Sequence, residues 1–368
     1  MRRAPPGGII RLMSDFANVP VAKPQPDAER FVKAVTTDYQ PDRPPLIEYI
    51  LDRAVLEPVL NLIGRQWVDP GGGRDQQAAH WDNFIAFWHR MGYDVVRLEI
   101  SMPFPRPGRE GGIRGRSFAE TGQGPVGNWE GLETYPWPRA EDMDFFCYDH
   151  LVEHMPEGMG LIANHAGGIL EVVTALMGYE TLCLALFDEP DLVRAVFDRV
   201  GGLMEAFYRR ILQLPRLVAV FPGDDMGFRT GTLIGPDDLR RYALPWHKKF
   251  AEMAHAAGKP YLLHSCGNLA EIMDDLIGDV GIDAKHSYED AICPAAEAKR
   301  RWGGRIGILG GVDVDKLTRL SGPDLRRYVR EVIDACAPGG RFAVGSGNSI
   351  PDYIPPANFL TMIDEALR

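Results

Sequence analysis

The sequence predicts a single (β/α)8 barrel of the α/β class, because short apolar runs alternate with longer amphipathic segments along most of its 368 residues. A barrel strand is covered on both faces, so it is a nearly continuous apolar run in sequence. Eight such runs are predicted as strands, and the segments between them carry helical periodicity. The runs are 44–51, 94–101, 160–167, 217–225, 259–267, 281–287, 305–313 and 341–348.

Helix boundary signals agree with this division. Ser321 and Pro323 open one predicted helix, since a small polar residue and a proline suit the first turn. Gly258 and Gly339 end predicted helices directly before apolar runs. Eight βα units favour a closed barrel, and a doubly wound open sheet is the alternative.

Two segments lie outside the ideal barrel pattern. Residues 1–43 are predicted to form an N-terminal extension with a helix near 28–38, so that the barrel domain covers 44–368. Residues 102–139 are rich in glycine and proline and form a long loop after the second strand, on the side where barrel active sites lie. Four arginines of this loop are interpreted as a solvated face, with a clamp for an acidic substrate as the alternative. They are Arg106, Arg109, Arg114 and Arg116.

The charge and cysteine content exclude several classes of protein. The formal net charge is −11 without a basic tract, which argues against nucleic-acid and membrane partners. The five cysteines are odd in number and scattered, so a disulfide framework is not expected and a reducing cytoplasm is. No apolar stretch approaches the length of a transmembrane helix. A small-molecule substrate is expected, and the oligomeric state is open, with a homodimer as one alternative.

Ionisable side chains collect at the carboxyl ends of the predicted strands, where barrel enzymes place their reactive groups. Glu99 ends the second strand, Asp225 follows the fourth and His286 ends the sixth. These three are predicted as catalytic residues, with an internal ion pair, a turn cap and a core histidine as the respective alternatives. After the eighth strand, Ser346 and Asn348 lie in the loop GSGNS and are predicted to bind a cofactor or phosphate.

The sharpest local signal is His264–Ser265–Cys266. Residues i and i+2 of a strand face the same side, so His264 and Cys266 are expected to lie side by side. An imidazole and a thiolate are ready zinc ligands, and a catalytic zinc site needs a third protein ligand. The alternative is a buried histidine and an inert buried cysteine packing at a strand end.

Several motifs of the C-terminal part resemble the uroporphyrinogen decarboxylase superfamily. They are YLLHSCGN (261–268), RIGILGGVD (305–313), GSGNSIPDYIPPANFLTM (345–362) and GDDMGFRTGTLIGPDDLRRYALPW (223–246). The resemblance covers residues 150–368 well and the N-terminal third loosely. It implies a (β/α)8 barrel and two chemistries.

The decarboxylase branch carries an early arginine motif for substrate carboxylates, whereas the corresponding region here is PPLIEYILDRAVLE (44–57). The other branch, of corrinoid-dependent methyltransferases, holds zinc with His-x-Cys on the fifth strand and a late cysteine. His264 and Cys266 match the pair, but Asn348 lies near the late position and Cys336 comes too early. The zinc site is therefore incomplete by the family pattern, and Glu99, Asp225 or His286 is expected to supply the missing ligand.

Three functional hypotheses follow from the resemblance. The first is a zinc-dependent methyltransferase working with a corrinoid or thiol acceptor, the corrinoid being carried by a separate partner protein. The second is a metal-free decarboxylase of a carboxylated, tetrapyrrole-like or other small molecule. The third is a non-catalytic partner of corrinoid proteins.

Overall fold

A computed structural model describes residues 16–105 and 124–368, and it shows a mixed α/β fold with parallel strand pairing. The chain divides into two compact units. Unit 1 comprises the described parts of Met1–Arg97, together with Phe146–Ile162 and Asp283–Arg368, and unit 2 comprises the described parts of Leu98–Phe145, together with Ala163–Ile282.

The strands are short and mostly buried. In chain order they are β1 Val95–Ser101, β2 Gly160–Ala166, β3 Leu217–Val220, β4 Gly227–Phe228, β5 Gly231–Thr232, β6 Leu262–His264, β7 Ala284–His286, β8 Gly307–Val312 and β9 Phe342–Ser346.

The helices fill the sequence between the strands. The α-helices are α1 Ala28–Thr36, α2 Arg53–Leu62, α3 Arg74–Arg90, α4 Trp129–Thr134, α5 Phe146–His154, α6 Ile169–Met177, α7 Tyr179–Asp188, α8 Pro190–Ile211, α9 Pro236–Asp238, α10 Leu244–Ala256, α11 Met273–Asp275, α12 Ala295–Trp302, α13 Val314–Arg319, α14 Gly322–Cys336 and α15 Pro356–Ala366. A 3-10 turn covers Ala140–Asp142, and π-helical turns cover Leu239–Ala243 and Leu276–Val280.

Parallel pairing joins strands that are distant in sequence. One sheet has the order β1-β2-β3. In unit 1, β7 pairs in parallel with β8 and β8 with β9. The predicted first strand, 44–51, contributes only isolated parallel bridges, from Leu46 to Val344 and from Leu51 to Ile350. The antiparallel hairpin β4–β5 interrupts the βα pattern.

The predicted elements are largely confirmed, with differences in extent. Seven of the eight predicted apolar runs contain a strand, and the predicted helix near 28–38 is α1. The closed eight-stranded barrel and the 44–368 domain boundary stay predictions. No single helix among the described residues is long and apolar enough to cross a membrane; only the pair α6 and α7 meets that test together, and it bends by 93°.

Each unit has its own core of fully buried side chains. In unit 1, Phe87 of α3 stacks on Phe359 of α15 with ring centroids 6.1 Å apart. In unit 2, Tyr208 of α8 stacks on Phe250 of α10 at 4.7 Å. Fully burying one such ring contributes roughly 2–3 kcal/mol. These cores fix the helices against the strands whose ends carry the polar groups.

Candidate functional site

Asp225, His264 and Cys266 are brought together in unit 2 because the segments after β3 and β6 run side by side. Parallel bridges join Val220 to Tyr261 and Gly223 to His264. The His264 amide donates to the Pro222 carbonyl at 2.8 Å, and the Asp224 amide donates to the His264 carbonyl at 3.0 Å. Asp225 and Cys266 follow this last contact on their two separate segments, and they therefore lie side by side.

Two glycines let these segments pack backbone against backbone. Gly267 has φ +83°, and a Cβ placed on it would lie 2.2 Å from the carbonyl carbon of Gly227. A Cβ on Gly227 would in turn lie 2.9 Å from the Cys266 carbonyl oxygen. Any larger residue at position 267 would push the segments apart, so both glycines fix the distance between Asp225 and Cys266.

The three side chains form a ligand-like cluster. His264 Nε2 lies 3.4 Å from Cys266 Sγ and 3.6 Å from Asp225 Oδ1, and the three ligand atoms lie within 4.8 Å of one another. Tetrahedral zinc with bonds of about 2.0–2.3 Å has ligand separations of roughly 3.3–3.7 Å. The Cys266 amide also donates to Asp225 Oδ1 at 2.9 Å, which holds the carboxylate in place. Within residues 16–105 and 124–368 this is the one group of three His, Cys, Asp or Glu side chains with such spacing.

Glu171, at the start of α6, is a half-buried acid of this site that the sequence analysis missed. Its Oε2 accepts the Gly168 amide at 2.8 Å. Burial, and then the negative charges of Asp225, Asp224 and Glu99, raise the pKa of the Glu171 carboxyl well above its usual range. The pattern Gly168-x-x-Glu171, a helix-start signature directly after β2, was the available signal.

Asp224 stabilises the structure next to the cluster through hydrogen bonds. Its fully buried carboxylate accepts the amides of Leu170 at 3.1 Å and Glu171 at 3.0 Å, so it caps α6 from another segment of the chain. His247 Nε2 lies 2.8 Å from the same carboxylate, and His247 Nδ1 lies 2.8 Å from the Tyr261 hydroxyl. A carboxylate only accepts, so Nε2 carries the proton and Nδ1 accepts from Tyr261. His247 was not predicted, because a histidine inside a helix carries no distinctive pattern.

Three other predicted site residues, His286, Ser346 and Asn348, lie in unit 1 and form a cluster of their own. His286 Nε2 lies 2.9 Å from the Ser346 carbonyl and donates to it, and burial lowers the pKa of His286 to about 3, which keeps the ring neutral. The Ser346 amide donates to Glu48 at 3.1 Å, and the Ser346 hydroxyl contacts both Glu48 Oε2 and the Asn348 carbonyl. The catalytic role of His286 and the cofactor-binding roles of Ser346 and Asn348 stay predictions.

Burial raises the pKa of the Glu48 carboxyl to about 8, against hydrogen bonds from Ser346 that lower it. The folded protein therefore keeps the Glu48 proton at pH values above 4.5, where the unfolded chain releases it. The contribution of Glu48 to the free energy of unfolding therefore decreases as the pH rises toward 8. Glu48→Gln reproduces the hydrogen-bonding pattern of the protonated carboxyl. We expect its free energy of unfolding, relative to that of the wild type, to increase by about 1.4 kcal/mol for each pH unit between pH 5 and 7.5. Urea unfolding across this pH range measures the gain.

The exposed Glu57→Gln is the matched control and should show no such slope. A constant difference between wild type and Glu48→Gln over the whole pH range would mean that Glu48 is ionised in the folded protein.

Of the seven predicted site residues, the structure brings Asp225, His264 and Cys266 into contact. Glu99 lies in β1, and its charge acts on Glu171 in the same unit. The four arginines of the loop, from Arg106 to Arg116, lie outside the described residues.

Comparison with known proteins points to one family. The family model described as uroporphyrinogen decarboxylase (URO-D) matches residues 143–368. A uroporphyrinogen decarboxylase of Cupriavidus necator is 33% identical over 99 residues, which is 26% of this chain and 26% of that protein, so the chain spans about a quarter of that curated relative. A solved methyltransferase from Methanosarcina mazei has a TM-score of 0.66 at 17% identity, covering 93% of this chain and 98% of its own. At that identity the likeness concerns the fold alone.

Proposed function

Because this chain belongs to the uroporphyrinogen decarboxylase (URO-D) family, we propose that it is a zinc-dependent methyltransferase of that family, working with a corrinoid or a thiol acceptor. The observation that carries the proposal is the spacing of Asp225, His264 and Cys266, whose ligand atoms lie within 4.8 Å of one another. A corrinoid, where used, comes on a separate partner protein.

The donor set fits zinc. Nitrogen, thiolate sulfur and carboxylate oxygen are its ordinary protein ligands, and three of them leave one position open for a substrate in a catalytic site. We assign to Asp225 the ligand position that a late cysteine occupies in the methyltransferase pattern. Bound by these three residues, zinc supplies Lewis acidity that polarises or deprotonates the methyl acceptor.

Carboxyl groups of this chain donate and accept protons next to the proposed zinc position. Methyl transfer to a thiol forms a carbon–sulfur bond, breaks the bond from methyl to its donor, and releases the thiol proton to solvent. The charge of Glu99 acts on the carboxyl group of Glu171. We assign to Glu171 the donation of a proton to the departing group. Asp225 is then a ligand rather than the general base.

A closed (β/α)8 barrel over residues 44–368 is the architecture we propose for this function. The parallel pairing of β7, β8 and β9 and the parallel bridges from Leu46 and Leu51 support it. The fold likeness to the Methanosarcina mazei methyltransferase supports it too. In such a barrel the ends of β3 and β6, which carry Asp225 and Cys266, face the reaction site.

A metal-free decarboxylase is the second candidate, favoured by the family name and by the Cupriavidus necator relative. It requires positive charge for a substrate carboxylate. The early segment 44–57 lacks the arginine motif of the decarboxylase branch. Acidic side chains also crowd the Asp225 cluster, where Asp225, Asp224 and Glu99 act together on Glu171. Both observations favour methyl transfer.

Metal content tests the proposal directly. We expect untagged protein to contain about one zinc per chain by plasma mass spectrometry and the Cys266→Ala variant to contain almost none, because two ligands rarely retain zinc. Cys183→Ala, a half-buried cysteine in α7, is the matched control and should keep its metal. Loss of absorbance of free methylcobalamin in the presence of a small thiol gives the activity readout.

Wild-type protein free of zinc after growth with added zinc would end the zinc mechanism. Release of carbon dioxide from small polycarboxylates, undiminished in Cys266→Ala, would then establish the decarboxylase.

A further inference from the structure

A groove of about 470 Å³ lies in unit 1 and shares no residue with the zinc cluster. It is lined by the segment 39–46 and by residues just before β1, so it lies at the amino ends of the first predicted strand and of β1. Arg30, Arg43 and Arg368 line it together with Asp42 and Asp94. A lining with a positive balance is notable in a chain whose net charge is −11.

Two of the three arginines already have carboxylate partners. Arg30 donates to Asp94 at 2.5 Å, and the Asp94 side chain, only 4% exposed, also accepts the Asp27 amide at 2.9 Å. Arg368 pairs with Glu365 at 3.1 Å. The carboxylate deepest in the groove is therefore already neutralised by Arg30.

Arg43 differs from both. Within the described part of the chain, no carboxylate lies within 4.0 Å of its guanidinium. Burial, and then the neighbouring charge of Arg30, lower the pKa of Arg43, whereas the charge of Asp94 raises it. Asp94 acts on both guanidinium groups and offsets part of their mutual repulsion. Asp42 and Arg43 are both exposed at the rim of the groove.

We propose that this groove binds the phosphate group of a small phosphorylated molecule, with Arg43 as the principal ligand and Arg30 as the second. A guanidinium offers a planar fork of donors that matches phosphate oxygens. The groove volume falls in the range of small-molecule sites and exceeds the needs of inorganic phosphate. Pro41, Pro44 and Pro45 restrict the backbone of its wall, which favours a preformed site.

Calorimetric titration with ribose 5-phosphate, ribose and inorganic phosphate tests the site. The titrations use metal-free protein in the Cys266→Ala background, since a bound metal would also take up phosphate. Arg43→Gln should weaken binding of ribose 5-phosphate about tenfold or more, the range expected for hydrogen bonds to charged groups. Asp42→Asn should tighten it about threefold by removing a rim charge. Arg53→Gln, an exposed arginine paired with Glu57 outside the groove, is the control.

Each outcome decides the assignment. Tighter binding of ribose 5-phosphate than of inorganic phosphate supports an organic ester, and equal binding supports inorganic phosphate as the occupant. Binding that is not saturable, or that falls equally in Arg43→Gln and Arg53→Gln, would overturn the site, because it would be unspecific attraction to surface charge. The experiment is independent of zinc and of methyl transfer, so its failure leaves the proposed function untouched.

Discussion

Replacement of Asp225 by alanine is expected to weaken zinc binding at least about 100-fold. Loss of groups that merely orient zinc ligands costs 10–100-fold in affinity, so loss of a direct ligand should reach or pass the upper limit. Asp225 Oδ1 lies 3.6 Å from His264 Nε2, the separation expected of two ligands on one zinc ion. Chelator competition on purified protein measures the affinity.

Asp225→Asn separates the ligand role from the structural one. The amide oxygen can still accept the Cys266 amide, now 2.9 Å from Asp225 Oδ1, so the strand-end loop should keep its shape. Without the negative charge, zinc affinity should still fall substantially. Asp237→Ala, an exposed acid on α9, is the control. If the zinc affinity of Asp225→Ala is within about threefold of that of the wild type, the third ligand is another carboxylate. Glu171 and Glu99 are then the first residues to mutate.

The sequence predicted the proximity of two of the three members of this cluster for a simple physical reason. His264 and Cys266 are two positions apart in an extended segment, so their proximity is a local property of the strand. Asp225 joins them only through the parallel bridge between Gly223 and His264, which is a long-range contact. Its ligand role was one of three alternatives, and the parallel bridges between 220–223 and 261–264 bring it next to His264 and Cys266.

The helices show the same division between local and long-range causes. The apolar segment 171–187 has continuous helical periodicity, yet Gly178, at φ +84°, separates α6 from α7. The π-helical turn Leu239–Ala243 lies just before Pro245, which lacks an amide hydrogen and cannot continue regular α-helical bonding. The run 44–51 forms bridges without a regular strand, because its polar Glu48 faces Ser346 of β9.

Glu171 and His247 were not predicted, because the local pattern at Glu171 indicates only a helix start and nothing local marks His247. Glu171 occupies a position where acids ordinarily cap helices, and its burial, followed by the charges of Asp225, Asp224 and Glu99, raises the pKa of its carboxyl. His247 lies 23 positions from Asp224 in sequence, and the helix that carries it gives no sign of its partner. Both are properties of packed neighbours rather than of spacing.

Asp224→Ala is expected to destabilise the protein by roughly 3–5 kcal/mol, because it removes the acceptor of three buried hydrogen-bond donors. The change leaves the amides of Leu170 and Glu171 and the Nε2–H of His247 buried with no acceptor, and each such group costs about 1–3 kcal/mol. Urea unfolding of metal-free protein measures the loss without any contribution from zinc. The exposed Asp237→Ala should change stability by less than about 0.5 kcal/mol.

Asp224→Asn gives the sharper comparison, since it keeps the volume and one oxygen. Oδ1 can still accept the Glu171 amide, but the new amide group replaces Oδ2, so the Leu170 amide loses its acceptor. The imidazole of His247 must also change tautomer, accept at Nε2 and donate from Nδ1 to the Tyr261 oxygen. The expected cost is about 1–2 kcal/mol, clearly less than for alanine. If asparagine costs as much as alanine, charge rather than hydrogen bonding holds the end of β3 against α6. If alanine costs less than about 1 kcal/mol, Asp224 does not organise this part of the site.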